Sequence, residues 1–96
     1  MSRIKIEGET SHPKEIIARD VVNAVIGRLA AIKETLKSID ADLATFHKKY
    51  KYSDEEFLDL FNKGELGDSD DFFAWEGSLR LRKQLVDEDA VLREVL

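Results

Sequence analysis

The most regular feature of the chain is a line of apolar residues spaced alternately by four and three: Ala18, Val22, Val25, Leu29, Ile32, Leu36, Ile39, Leu43, Phe46 and Tyr50. This is a heptad seam held through more than four repeats. A straight helix of ~3.6 residues per turn drifts off such a line, so its persistence favours packing against another helix in a left-handed supercoil. The spacing predicts one long helix over 13–50. Thr10 or Ser11 can cap it, and Pro13 suits the first turn, where a missing N–H costs nothing.

The two halves of this helix differ. Toward its start Ile16, Ile17, Val21, Ala24, Ile26, Ala30 and Ala31 widen the apolar surface beyond one stripe. Toward its end Lys33, Glu34, Lys37, Asp40, Asp42, Lys48 and Lys49 leave only the seam apolar. The first half is therefore expected to be buried on two sides and the second on one. A helix over 14–50 spans roughly 55 Å, whereas a compact chain of this size is only ~32 Å across. Either it breaks, at Gly27 or Ser38–Asp40, or its overhang is covered by another chain. The continuous helix is favoured, in a homodimer or small oligomer whose seam is Val22, Val25, Leu29, Ile32, Leu36, Ile39, Leu43, Phe46 and Tyr50.

Before the long helix, Arg3-Ile4-Lys5-Ile6-Glu7 alternates with the period of a half-buried strand over 3–7, ended by Gly8. A lone strand leaves its ladder groups unpaired, so pairing with a second copy or with a partner's sheet is favoured over a frayed tail. After the long helix, Ser53 followed by Glu56 forms a capping box that opens a second helix over 54–63. Phe57, Leu58, Leu60 and Phe61 make its apolar face, and Gly64 supplies a left-handed stop. A third helix over 70–86 carries Phe72, Trp75, Leu79, Leu85 and Val86. Asp87 offers a recapped continuation to 96. The fold class expected is mainly α in a single domain over 1–96: a short N-terminal strand, one long heptad-patterned helix, and a helical hairpin folding back on it.

Hydrophobic residues form 43% of the 96 and charged residues 36%, a mix that suits a folded helical domain. There is no cysteine, which removes disulfides and thiolate metal sites, and no apolar run approaches the ~20 residues needed to span a bilayer. With no signal-peptide core in Met1–Glu9, a cytoplasmic protein that does not enter a membrane is the expectation. The net charge of −5 is unevenly spread: 53–76 hold one lysine against nine acids. Such a segment repels phosphate backbones, which disfavours nucleic acid on that face. It suits either a basic partner or plain solvation.

Chemistry has little to stand on. The two histidines, His12 and His47, sit at helix ends, and no nucleophile–base pair is suggested, so an enzyme is not expected. Asp68-Ser69-Asp70-Asp71 with Glu76 invites a calcium reading, but Phe73 and Leu79 stand where such a loop needs Gly and a bidentate Glu. Helix capping explains these acids better. Glu55, Glu56, Asp59, Asp70 and Asp71 are distantly similar to the magnesium-binding carboxylates of all-helical nucleotide pyrophosphohydrolases, yet they crowd one short helix and a loop. Neither metal nor cofactor is expected. His47-Lys48-Lys49-Tyr50-Lys51-Tyr52 mixes bases with aromatics as single-strand binders do, although cations in a last helical turn explain it more simply. Arg3 and Lys5 on a paired strand would fit a ribbon-helix-helix regulator, a remote alternative.

The stretches Phe46-His-Lys-Lys-Tyr50, Ser53-Asp-Glu-Glu-Phe-Leu58, Gly64-Glu-Leu-Gly-Asp68 and Asp71-Phe-Phe-Ala-Trp-Glu76 resemble a small family of archaeal and bacterial helical proteins of similar length. These commonly sit beside a toxin gene and are assigned the role of antitoxin. The resemblance covers about 46–83 and is structural, with no chemistry attached. It implies a protein-interaction module that binds and occludes a second protein without turnover. Trp75 and the Phe72-Phe73 pair are most simply core; given a heterologous partner, Ile4, Ile6, Phe57, Phe61, Phe72 and Trp75 are the candidate partner-binding residues. The alternative function is a self-contained homo-oligomeric structural protein.

Overall fold

The computed structural model describes residues 13–96, and among them are three helices and no strand: α1 (Pro13–Tyr50), α2 (Asp54–Asn62) and α3 (Asp70–Arg93). The strand expected at 3–7, with Ile4 and Ile6, and the caps expected at Thr10 and Ser11 lie outside the described residues.

α1 runs without interruption through Gly27 and through Ser38–Asp40. The sole proline is Pro13, at its first residue, and a glycine alone costs a helix only about 1 kcal/mol. Lys51 stops it, at φ 64°, with its N–H donating to the His47 carbonyl at 2.9 Å. A left-handed residue is the usual helix stop, but glycine is the usual occupant. The turn delivers Tyr52 to the core and Ser53 to the start of α2.

α2 opens on the expected capping box: Glu56 N–H donates to Ser53 Oγ at 3.1 Å, and Ser53 N–H donates to the Glu56 carboxylate at 2.9 Å. It closes on Gly64 at φ 72°, with Gly64 N–H bonded to the Phe61 carbonyl and Glu65 N–H to that of Leu60. That double bond is the Schellman arrangement. Leu66 then packs against the core, and Ser69 caps α3 through the Asp71 N–H.

α3 does not end near residue 86. It continues through Asp87 to Arg93, so no recap forms at Asp87. Ion pairs one turn apart, Arg80–Glu76, Lys83–Asp87 and Arg93–Asp89, support its outer face. Trp75, Leu79, Leu85 and Leu92 hold its inner face against the core. Three cross-helix pairs fix it antiparallel to α1: Lys49–Asp71 at 2.7 Å, Asp40–Arg82 at 2.8 Å and Arg28–Glu88 at 2.7 Å.

The core gathers Ile32, Ile39, Leu43, Phe57, Trp75 and Leu85, with Leu36, Phe46, Tyr50 and Leu92 among the partly buried residues around it. The heptad line is thus dried within one chain over much of its length. Ile32 is fully buried, and Val25, Leu29, Ile39 and Leu43 are each no more than 9% exposed. The seam expected to face a second copy is occupied by the chain's own hairpin from Ile32 to Tyr50. The reason is that α3, at 24 residues, is long enough to lie along it.

α1 is much longer than its cover. Thirty-eight residues span about 57 Å, and the described chain measures 66 × 23 × 19 Å. Its radius of gyration is 21.3 Å, against ~12–13 Å for a compact chain of this length. The molecule is a rod with a helix projecting from one end.

Candidate protein-interaction site

Two features stand out on this rod. The first is an aromatic hub where all three helices meet. The fully buried Trp75 stacks on Phe57 at 4.0 Å and 3° and on Phe46 at 5.5 Å, with the edge of His47 against it at 5.7 Å. Its indole Nε1 donates to Asp54 Oδ1 at 3.0 Å, and the same oxygen lies 2.6 Å from His47 Nε2. One carboxylate at the start of α2 therefore ties the last turn of α1 to the first turns of α3. Asp71 closes the other side, accepting from Lys49 Nζ at 2.7 Å and from Tyr50 Oη at 2.5 Å. These bonds hold its carboxyl below the usual carboxylate range and the Lys49 ammonium above its own.

This geometry decides several readings. Phe57 and Trp75 expose no surface and belong to the core, and Phe61 and Phe72 are half-buried against the same rings. Phe73 is the aromatic left in solvent, at 56% exposure. Within 47–52, His47 is bonded to Asp54 and Lys49 to Asp71, while Tyr50 packs on Phe72 at 4.9 Å and Tyr52 packs against the core, which leaves no stacking platform for bases. Of the acids offered for calcium, Asp71 is committed to Lys49 and Tyr50, and Glu76 to Arg80. Among the described residues no group of three or more metal-binding side chains is close enough to hold an ion.

A shallow cleft runs between α1 and α3, with Leu43, Ala44, Leu79 and Val86 as its floor. Its charged rim is already paired: Asp40 with Arg82, His47 with Asp54, Lys83 with Asp87. No described polar group there is left over to hold a polar ligand.

The second feature is the projecting end of α1. Arg93, the last residue of α3, lines the same groove as Leu29 and Ala30, so α1 runs on beyond its cover. Every residue from Glu15 to Ala24 is exposed. Within and just after this stretch Ile16 is 42% exposed, Ile17 61%, Val21 47%, Val22 37% and Ile26 52%. At ~100° per residue, Val22 continues the seam line, with Ile17 and Val21 on one side of it and Ile26 on the other. The apolar arc thus covers about half the helix circumference, wider than the roughly 100° stripe that one neighbour needs. Val91, Val95 and Leu96 extend exposed apolar surface around the end of α3. So much apolar side chain left bare on one helix end is uncommon on a self-sufficient domain and marks a contact surface.

Of the proposed oligomer seam, then, Val22 alone lies on the open stretch, while Leu36, Phe46 and Tyr50 are half-buried in the hairpin. The open stretch is built mostly from the flanking residues that widened the pattern, Ile17, Val21 and Ile26. Their signal was the loss of polar positions beside the seam. The described helices include none long and apolar enough to cross a membrane. Comparisons with protein-family models, with curated proteins and with solved structures yield no match to the chain.

Proposed function

We propose that the protein works by binding another protein chain rather than by catalysis, with the projecting end of α1 as its docking element. The observation that carries this reading is the exposure of Ile17, Val21, Val22 and Ile26 on a helix that outruns its own hairpin. Removing each of these side chains from water contributes about 1 kcal/mol, as fully burying one contributes ~1.5–3 kcal/mol and each is roughly half exposed. The resemblance over 46–83 supplies the form of the interaction: antitoxin-like occlusion of a second protein, without turnover.

The test is co-expression with the product of the adjacent gene. A stoichiometric complex is expected, and Ile17→Glu with Val21→Glu should abolish it while leaving the helix content unchanged. Failure to form a complex overturns the occlusion reading. A complex indifferent to the double substitution overturns the assignment to α1.

A further inference from the structure

We infer that the seam side of the projecting helix is covered by the same segment of a second copy, running antiparallel. This rests on the reading of that end as a docking element and names its occupant. The seam line, buried at Leu29 and Val25, continues bare through Val22 and Ala18, past the point where α3 stops at Arg93. What belongs there is another antiparallel helix with an apolar face, and the projecting segment of a second copy is one. Its length also matches: each copy offers the stretch that the other leaves bare.

Sterics select the orientation. Packed helices lie ~8–10 Å apart. A parallel copy at that distance on the seam side would run straight into α3. An antiparallel copy diverges from it, because the two hairpins then lie at opposite ends of the dimer. In that arrangement the first turns of one α1, with Ile17, arrive beside Val95 and Leu96 of the other chain. These residues are 52% and 60% exposed at the end of α3.

Charge does not oppose the pairing. Residues 16–27 hold one arginine, Arg19, and one aspartate, Asp20, whereas the hairpin's acidic segment would repel its own copy. The bare seam stretch is short, so the dimer falls no higher than the lower edge of the ~1,200–2,000 Å² total typical of stable interfaces. It should therefore dissociate on dilution. The apolar arc is wider than one neighbour covers, so a flank remains for a heterologous protein.

The measurement is sedimentation equilibrium across a dilution series, with small-angle scattering on the concentrated sample. The expected result is a reversible monomer–dimer equilibrium. The dimer's long dimension should be about 110 Å, two 66 Å rods overlapping by the ~18 Å of twelve helical residues. Val22→Glu should leave the monomer folded and remove the dimer, and Ile17→Glu should do the same independently. A monomer at every concentration, a side-by-side dimer near 70 Å, or a dimer unmoved by both substitutions overturns the inference. A monomer that still captures the adjacent gene's product overturns only the second copy and leaves the docking element standing.

Discussion

Trp75 is the side chain on which the three-helix arrangement most depends, and its removal gives the sharpest test of the packing. It has no exposed surface, lies flat on Phe57, contacts Phe46 and His47, and donates its indole N–H to Asp54. Trp75→Ala forfeits the buried ring and opens a cavity among rings that cannot all collapse into it, at a cost of about 3–5 kcal/mol. Trp75→Phe keeps a ring to stack on Phe57. It loses the bond to the Asp54 carboxylate, worth about 1.5–3 kcal/mol, although His47 still pairs with that oxygen, so the loss belongs at the lower end. Total stability for a domain of this size is about 5–15 kcal/mol. The alanine variant should therefore lose about a fifth or more of it, with the thermal midpoint falling by roughly 12 °C or more at ~4–8 °C per kcal/mol. Urea unfolding followed by far-ultraviolet circular dichroism measures both variants. Alanine should cost at least twice what phenylalanine does. A Trp75→Ala penalty below about 1 kcal/mol would refute the hub as the junction of the three helices.

Ile32→Ala should cost about 2–5 kcal/mol because the residue is fully buried, whereas Ile17→Ala, 61% exposed, should shift dilute monomer by less than ~0.5 kcal/mol. Equal penalties would show that α3 does not cover the seam. Gly27→Ala and Gly77→Ala, both within helices and with nothing near an added Cβ, should each stabilise the chain by about 0.5–1 kcal/mol in thermal melts. Destabilisation would mean a neighbour occupies that space. Asp71, its carboxyl held below the usual range by Lys49 and Tyr50, contributes stability above its unfolded pKa of ~3.9 and loses it as pH falls through the lower folded value. Wild type should therefore lose more stability than Asp71→Asn on acidification below about pH 4, as read by unfolding curves at stepped pH. Parallel losses would remove Asp71 from the linkage.

Local chemistry made most of the helices legible before any contact was known. The capping box at Ser53 and Glu56 and the left-handed stop at Gly64 depend on groups within four residues of one another, so they can be read in place. The end of α1 at Tyr50 was legible from the run of the seam and the cations of its last turn, although its left-handed residue, Lys51, carries no glycine signal. The run of α3 past Asp87 was hidden for the opposite reason. A short polar residue in mid-pattern reads as a cap, and only the pair it makes with Lys83 shows it serving the helix interior instead.

The heptad line shows the boundary most clearly. Its period required that some helix lie against it, since so regular an apolar stripe is not left in water. Period alone carries no address for that helix, because a chain's own α3 and a neighbour's α1 desolvate leucine and isoleucine equally well. That choice was made by long-range contacts, the ion pairs Lys49–Asp71, Asp40–Arg82 and Arg28–Glu88 and the stacking of Trp75 on Phe46 and Phe57, whose members lie well apart along the chain. The same contacts end where α3 ends. They thereby convert a pattern that runs the length of α1 into a long buried stretch and a shorter bare one.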